Sequence, residues 1–395
     1  MRRSILLFPA ILAVAGLVLA GCGAPAPKVI KIATQSPLSG GMSAVGTDIK
    51  NGAQLAIEQL SGPLTKLGYK VELAPFDDQG NPDTGVANAK SIVADPAVLA
   101  VVGHYNSGVQ IPSSEEYHAA SLVNISPANT NPKVTERGYV EVNRICGRDD
   151  VQGAVGAQFA ASKGLKSAYV LHDKTAYGQG IAEYFKRQAE QLGIKVLGFE
   201  GTEEKANFDS ILSPILSAKP EVIYFGGMFD QAAVLYKQAR QKGYMGMYLS
   251  DDGFDASDAA KIGGDSLLAG AGTYFSTVSG PASVYPGTAK FVADFKAKFG
   301  SEPQPFAAQS FDCAAIALKA IETAAVAAKK LPARADVTKA VRALKDFPGI
   351  TGPVNFNGKG DLVKAKYFII QVSSGDPAQW SANKIDQTLE IAPPQ

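Results

Sequence analysis

Short apolar runs rich in β-branched residues alternate with amphipathic stretches from residue 29 onward. The first apolar runs predict strands at 29–33, 71–74, 98–102 and 122–125. The stretches between them carry apolar residues at helical spacing and predict helices at 47–60, 82–94 and 109–120. Strict alternation of strand and helix predicts right-handed crossovers and a mainly parallel sheet covered by helices on both faces.

The same pattern then restarts, which indicates a second sheet. Its apolar runs predict strands at 167–171, 195–199, 222–225 and 247–249. The helices between them are predicted at 175–191, 208–217 and 230–242. Alanine-rich helical stretches follow at 288–299, 307–328 and 336–344, and their periodicity does not indicate which sheet they cover. The predicted fold class is therefore α/β, with two lobes that are each a mainly parallel sheet flanked by helices.

Composition fits two globular domains and argues against several classes of function. The chain has 395 residues, 46% of them hydrophobic, which is enough for two cores. Its formal net charge of +1 offers no basic surface for nucleic acid. The 3 histidines and 3 cysteines are scattered without the spacing of a metal site, so neither a metal nor another cofactor is expected.

The N-terminus has the pattern of a lipoprotein signal. Arg2 and Arg3 precede an apolar stretch at 5–19, and the small residues Ala20 and Gly21 precede Cys22. We expect a signal peptide at 1–21, lipidation of Cys22 and a short tether at 22–28, which would anchor an exported protein to the membrane, facing the periplasm or the cell exterior. The alternative is a transmembrane helix, but the apolar stretch is shorter than the roughly 20 residues that a bilayer requires.

Export changes how the remaining cysteines are interpreted. With Cys22 lipidated, Cys146 and Cys313 are the two remaining cysteines, and a disulfide between them would persist in an oxidising compartment. Two buried free thiols are the alternative, because cysteine is among the most buried residue types. The sequence alone does not decide between the two.

Sequence motifs of common α/β enzymes are absent. The chain has no G-x-S-x-G elbow, no phosphate-binding G-x-x-x-x-G-K-[ST] loop and no dinucleotide-binding G-x-G-x-x-G after the first strand. His104 and His172 each follow a predicted strand, where a catalytic residue would sit, but a structural role is the more common one for such histidines. We expect a protein that is not an enzyme.

Ligands of open parallel sheets bind at the carboxyl ends of the strands, and this rule selects a few loops. Ser107 stands where a loop leads into a helix, so that its hydroxyl and free backbone N–H groups would hold an anion. The turn at 126–130, rich in hydrogen-bonding groups, follows the next strand. Tyr177, Met228 and Asp252 follow three strands of the second lobe at the equivalent edge.

Seven segments, taken in order, carry a family resemblance: SPLSGGMSAVG, FDDQGNP, VVGHYNSG, ISPANTNPKVTERGY, LHDKTAYGQG, IYFGGMFDQAAVLYKQAR and GPVNFNGKGDL. Together they resemble the branched-chain amino acid receptors of ABC importers, which have the type I periplasmic binding protein fold. The resemblance implies three crossovers between lobes, near Gly147, Ser276 and Gly352. It also implies a monomer that delivers its ligand to a membrane permease. The implied boundaries are 29–147 and 276–351 for lobe 1, and 148–275 and 352–395 for lobe 2.

The resemblance assigns roles to individual positions. Ser107, Ala128 and Thr130 match residues that hold the ligand's carboxylate and amine. Tyr177 matches a tyrosine that reaches across the cleft, and Asp252 matches an acidic residue that pairs with the ammonium. Such an anion is what a buried ammonium requires. Phe306 matches an aromatic wall of the side-chain pocket.

Departures from the family pattern leave the exact ligand open. Val45 and Met228 stand where leucine receptors of this family carry aromatic residues, and Asp252 is one methylene shorter than their glutamate. Gly80 and Asn106 occupy the positions of a disulfide in familiar members. The main expectation is a receptor for branched-chain or other small neutral amino acids. The alternatives are the same fold binding an amide, a urea or an aromatic carboxylate, a ligand sensor, or a lipoprotein hydrolase.

Overall fold

The first lobe begins with alternating strands and helices, as the sequence predicts. A computed structural model describes residues 28–394, so the predictions for Cys22, the signal peptide and most of the tether lie outside the described residues. The strands are β1 (Lys28–Ser36), β2 (Tyr69–Asp77), β3 (Val98–Gly103), β4 (Val123–Ser126) and β5 (Val142–Arg144). The helices are α1 (Ser43–Leu60), α2 (Gly62–Lys66), α3 (Pro82–Ala94), α4 (Ser107–Ala119) and α5 (Lys133–Glu136). The five strands form one parallel sheet in the order β2-β1-β3-β4-β5.

Local sequence explains how these elements begin. The Asn81 side chain accepts hydrogen bonds from the backbone N–H groups of Asp83 and Thr84, which caps α3 ahead of Pro82 at its first position. All six residues of β3 are buried, which is why this apolar run shows no alternation.

The second lobe repeats the pattern. Its elements are α6 (Asp149–Ser162), β6 (Ser167–His172), α7 (Ala176–Gln191), β7 (Lys195–Gly201), α8 (Asp209–Ala218), β8 (Val222–Gly226), α9 (Phe229–Gln241), β9 (Met247–Ser250), α10 (Ser257–Gly263) and β10 (Thr273–Thr277). They are followed by α11 (Ala289–Phe299), α12 (Ala307–Ala328), α13 (Arg334–Ala343), β11 (Phe347–Gly349), β12 (Gly352–Val354), β13 (Ala365–Gln371) and β14 (Lys384–Ile391). The second sheet has the order β14-β13-β10-β9-β8-β6-β7.

The sheets are mainly parallel, as predicted, with one exception at an edge. In the second sheet β13 is antiparallel to both β10 and β14, and the sequence patterns did not predict this pair. The alanine-rich helices α11 to α13 contribute apolar side chains to the same core as the first sheet. The two-lobed α/β fold of mainly parallel sheets is therefore confirmed.

The chain passes between the sheets after β5, after β10 and between β12 and β13. The third passage comes after the short ribbon of β11 and β12, because Val354 and Phe356 still pack in the first-lobe core. We call the segments at these three passages the crossovers.

Buried ion pairs tie the crossovers together. Asp361, in the third crossover, accepts a hydrogen bond from Arg144 Nε at 2.6 Å and one from Arg148 Nη1 at 3.1 Å. The backbone N–H of Arg148 donates to the Tyr367 hydroxyl on β13 at 2.9 Å. The first and third crossovers thus share one buried network.

Candidate functional site

The first-lobe part of the site is the start of α4. Ser107 is the first residue of this helix and is buried, and its hydroxyl accepts a hydrogen bond from the Asn131 backbone N–H at 3.3 Å. The preceding residue, Asn106, makes no side-chain capping bond to the helix. The N–H groups of Val109 and Gln110 donate to the Asn106 carbonyl oxygen, so those of Ser107 and Gly108 remain available to an anion, with the helix dipole in support.

A rigid loop, residues 126–131, lies beside it. The Ser126 hydroxyl accepts from the N–H groups of Ala128 at 3.2 Å and Asn129 at 2.9 Å. From behind, Arg144 Nη1 donates to the carbonyl oxygens of Asn129 and Asn131, each at 2.9 Å. These bonds fix the loop before any ligand arrives, which lowers the entropic cost of binding.

The second-lobe part of the site is a tyrosine–carboxylate pair. The Tyr177 hydroxyl donates to Asp252 Oδ1 at 2.8 Å and accepts from the Gly253 N–H at 2.8 Å. Tyr177 lies in the first turn of α7, which Thr175 caps, and Asp252 lies in a single 3₁₀ turn after β9. Both side chains are at least 96% buried, with 3% and 4% of their surface exposed.

Burial dominates the electrostatics of this pair. It raises the pKa of Asp252 above the usual range, and the hydrogen bond from Tyr177 opposes that rise. Burial and the charge of Asp252 likewise raise the pKa of Asp251, whose carboxylate accepts from the N–H groups of Gly227 and Gly253. A buried carboxylate of this kind favours a cationic partner.

Apolar side chains from both lobes meet at the cleft. Val45 and Ala128 from the first lobe belong to the same buried apolar cluster as Tyr177, Met228 and Phe306. A hydrogen bond of 2.6 Å from Asn131 Nδ2 to the Ala176 carbonyl oxygen also joins the two lobes. The structure is thus a closed arrangement.

Phe306 is held in an unusual backbone conformation. Its φ of 70° lies in the left-handed region, which is costly for an aromatic residue. Its N–H donates to the Ser279 hydroxyl at 3.0 Å, and its ring meets that of Tyr105 edge-on at 6.0 Å. These contacts hold the ring against the cleft.

All eight residues predicted for the site are buried; seven of them lie after strands of the two sheets, whereas Phe306 directly precedes α12. These residues are Val45, Ser107, Ala128, Thr130, Tyr177, Met228, Asp252 and Phe306. Their contact with a ligand stays a prediction.

Comparison with known proteins decides the family. A family model described as "Periplasmic binding protein" matches residues 29–377. The chain belongs to the periplasmic binding protein family. It is 31% identical over 351 residues to the Leu/Ile/Val-binding protein homolog 1 of Brucella abortus, covering 87% of this chain and 91% of that protein.

Two further relatives agree. The leucine-, isoleucine-, valine-, threonine-, and alanine-binding protein of Pseudomonas aeruginosa is 32% identical over 341 residues, which is 85% of this chain and 88% of that protein. The crystal structure of a leucine binding protein from Thermotoga maritima superposes with a TM-score of 0.81 at 29% identity, covering 91% of this chain and 98% of that one.

In this periplasmic binding protein, two of the three cysteines lie within residues 28–394, and both are free thiols. Cys146 and Cys313 are both buried, so the disulfide considered from the sequence is not formed and the alternative of buried thiols holds. Burial raises the pKa of both thiols, which makes them unreactive. Gly80 and Asn106 lie side by side, since a Cβ on Gly80 would sit 3.5 Å from Asn106 Oδ1.

The two histidines that follow strands, His104 and His172, contact neighbouring residues of the fold. His104 is fully buried, with Nε2 at 3.2 Å from the Tyr117 hydroxyl and Nδ1 at 3.5 Å from Asp78. His172 Nδ1 accepts from the Lys174 N–H at 3.1 Å. Over residues 28–394 no group of histidine, cysteine and carboxylate side chains is arranged to hold a metal ion, and no helix is long and apolar enough to cross a membrane.

A cavity of 860 Å³ lies beside the cleft. Phe306, Asp255, Tyr285 and Trp380 contribute to its wall, whereas Ser107, Thr130, Tyr177 and Asp252 do not. It touches the candidate site through Phe306 and is otherwise separate from the polar groups described above.

Sequence reasoning missed three parts of the site. The Arg144–Asp361 pair and the Asn131 contact depend on distant segments. Asp149, which is fully buried beside Thr130, was also missed. The signal for Asp149 is the acidic pair 149–150 directly after the crossover predicted near Gly147.

Proposed function

We propose that this protein is an extracytoplasmic receptor that captures branched-chain or other small neutral amino acids by lobe closure and delivers them to an ABC permease. The observation that carries the proposal is the buried Tyr177–Asp252 pair, whose helix α7 contacts α4 of the first lobe. One end of the cleft offers N–H donors and the other offers a carboxylate, which is the arrangement that a zwitterion requires.

The carboxylate end is the uncapped start of α4. A ligand carboxylate there would accept hydrogen bonds from the N–H groups of Ser107 and Gly108 and from the Ser107 hydroxyl. Ala128 and Thr130, in the adjacent loop, would contribute hydroxyl and carbonyl oxygens to the ligand's amine. Hydrogen bonds to charged groups contribute about 1.5–3 kcal/mol each, so a few of them supply much of the roughly 8 kcal/mol of a micromolar complex.

The ammonium end is Asp252. Tyr177 orients its carboxylate, and the ammonium would compensate a charge that burial otherwise makes costly. The relatives named as leucine-, isoleucine- and valine-binding proteins support an amino-acid ligand for this chain.

The side-chain pocket is apolar and weakly selective. Val45, Met228 and Phe306 would contact the aliphatic part of the ligand. One methylene contributes about 0.8 kcal/mol, or roughly a fourfold change in affinity. Valine, leucine and isoleucine should therefore bind with similar affinities.

Closure would bring the two halves of the site together. The ligand would dock on the first lobe at Ser107, Ala128 and Thr130, and the second lobe would close through Tyr177 and Asp252, with the crossovers absorbing the rotation. The proposal includes a monomeric protein that is anchored through Cys22. Its first lobe would comprise residues 29–147 and 276–351, and its second lobe residues 148–275 and 352–395.

Titration calorimetry of the purified protein tests the proposal. Leucine, isoleucine, valine and alanine should bind to the wild type. The Asp252→Asn substitution should weaken the affinity for leucine at least tenfold, because the ligand ammonium loses its counter-ion. Asp258→Asn, on α10, is the matched control and should bind leucine as the wild type does.

Other results would contradict it. If the protein bound an amide, a urea or benzoate but no amino acid, the role of receptor would stand and the assignment of an amino-acid ligand would be refuted. Recovery of chemically changed ligand after incubation would refute the receptor role in favour of a hydrolase.

A further inference from the structure

The cavity of 860 Å³ behind Phe306 lies between the two sheets. On one side, Phe275 on β10 of the second sheet and Trp380, between β13 and β14, line it. On the other side the wall includes Ala308 on α12, which packs in the core of the first sheet. Small-molecule sites in proteins have volumes of about 300–1,000 Å³. The cavity is therefore large enough for a ligand of its own.

A hydrogen bond between the lobes borders this cavity. The Ser257 backbone N–H, at the start of α10, donates to Gln304 Oε1 at 3.2 Å, and both residues line the cavity. Gln304 is in turn fixed to the first lobe, because its N–H donates to Asp48 Oδ2 on α1 at 3.0 Å. A molecule in the cavity would therefore touch both lobes and would favour the closed arrangement.

Aromatic rings form a large part of the wall. Phe275 and Trp380 are stacked, with ring centroids 5.6 Å apart and an angle of 7° between the rings. Phe306 and Tyr285 add two more rings, and none of the four residues is more than 6% exposed. Aromatic rings attract cations that lie within about 6 Å of the ring centroid. Such a wall suits a cation with an apolar body.

The wall also carries a negative charge that lacks a counter-ion. Its charged residues are Asp255, Lys296 and Glu302, and Lys296 Nζ pairs with Glu302 Oε1 at 2.7 Å. Asp255 is 4% exposed. In the described part of the chain, the groups that favour its ionised form are Trp380 and Thr277, which are both neutral. The net charge of the wall is therefore that of Asp255.

Holding Trp380 in place does not by itself explain a carboxylate at position 255. Trp380 Nε1 donates to Asp255 Oδ1 at 2.9 Å, and a neutral amide oxygen would accept the same bond. Burial raises the pKa of Asp255 to about 7, because the ionised form is costly at a buried position without a counter-ion. A cation in the cavity would compensate this charge.

We propose that the cavity behind Phe306 is a second binding site, which takes a small organic cation with an apolar body, such as an alkylammonium or arylammonium ion. The ammonium would donate to Asp255, and the apolar body would lie against Phe275 and Trp380. Asp252 does not line this cavity, so the site is separate from the amino-acid cleft. It goes beyond the proposed function and does not rest on it.

Titration calorimetry with benzylamine, a cation at neutral pH, and with the neutral benzyl alcohol tests the site. Benzylamine should bind the wild type at least tenfold more tightly than benzyl alcohol, because it alone carries the charge that Asp255 requires. Asp255→Asn should weaken benzylamine at least tenfold and leave benzyl alcohol unchanged. Asp258→Asn, whose carboxylate lies outside the cavity wall, is the matched control and should bind benzylamine as the wild type does.

The same titration in the presence of saturating leucine separates the two sites. Leucine should leave the affinity for benzylamine unchanged or increase it, because both ligands favour the closed arrangement. Displacement of benzylamine by leucine would overturn the inference, since it would place the cation in the amino-acid cleft.

Three other results would also overturn it. They are a wild type that binds neither probe, equal affinities of the wild type for benzylamine and benzyl alcohol, and full benzylamine affinity in Asp255→Asn. The comparison of the two probes needs only the wild type, so it decides the matter if Asp255→Asn does not fold. A wild type that binds benzylamine through Asp255 but binds no amino acid would refute the proposed function and keep this inference.

Discussion

Replacing Asp361 by asparagine should strongly destabilise the protein, because this side chain is the anion of the buried crossover network. Asp361 is 1% exposed and accepts from Arg144 Nε at 2.6 Å, Arg148 Nη1 at 3.1 Å and the Thr135 hydroxyl at 2.8 Å. Burial by itself would raise the pKa of Asp361, but the charges of Arg144 and Arg148 hold it below the usual value. Asparagine keeps the shape and removes the charge.

The magnitude follows from the burial of the partners. Arg144 is 0% exposed at its side chain and Arg148 is 3% exposed, so neither can turn to water when the carboxylate is lost. Removing one partner of a buried ion pair costs about 3–5 kcal/mol. Glu136 pairs with the same Arg148, but its side chain is 45% exposed, and such a surface pair contributes about 0–1 kcal/mol.

Urea unfolding followed by circular dichroism measures the difference. Asp361→Asn should lose about 3–5 kcal/mol of unfolding free energy, and Glu136→Gln at most about 1 kcal/mol. Because the folded-state pKa of Asp361 is depressed, the loss should be full at neutral pH and should shrink as pH falls below about 4. Equal destabilisation by the two variants would refute the assignment of a buried network at the crossovers.

Two further predictions concern packing and pH. A Cβ on Gly52 would lie 2.1 Å from the Ala307 carbonyl oxygen, so Gly52→Ala should lower the unfolding free energy by about 1–3 kcal/mol. A Cβ on Gly62 would have nothing within 4 Å, so Gly62→Ala should leave the unfolding free energy unchanged. Equal unfolding free energies for the two variants in urea titrations would contradict this prediction. Burial raises the pKa of Asp255 to about 7, despite the bond from Trp380 Nε1. Because the folded-state pKa is raised, the stability of the wild type falls as pH rises from about 4 to 7. The unfolding free energy of Asp255→Asn should therefore increase by a few kcal/mol relative to that of the wild type over this range. A difference between the two proteins that does not change with pH would refute this prediction.

The regular elements were largely predictable from local sequence. Asn81 and Pro82 mark the start of α3, and the continuous apolar run of β3 marks a central parallel strand. Ser107 was predicted at a helix start because strand, loop and helix follow one another without interruption. In such segments local preference and tertiary packing agree.

Other parts depend on contacts that sequence patterns do not contain. The strand β5 has three residues, too few for a periodic signal. The edge strand β14 has no fully buried residue and five polar residues among its eight, so its alternation of apolar and polar positions is weak. Asp149 looks like an ordinary first-turn acid, and its burial depends on a distant segment, the loop at 126–131, where the Thr130 carbonyl oxygen accepts from its N–H.

A crystal structure of the protein with L-leucine would show how the amino acid lies between the lobes. The ligand ammonium should lie within about 3.2 Å of Asp252, and its carboxylate should lie at the free N–H groups at the start of α4, beside Ser107. A leucine molecule bound in the reverse orientation, or bound in the cavity behind Phe306 with no contact to Asp252, would contradict this arrangement.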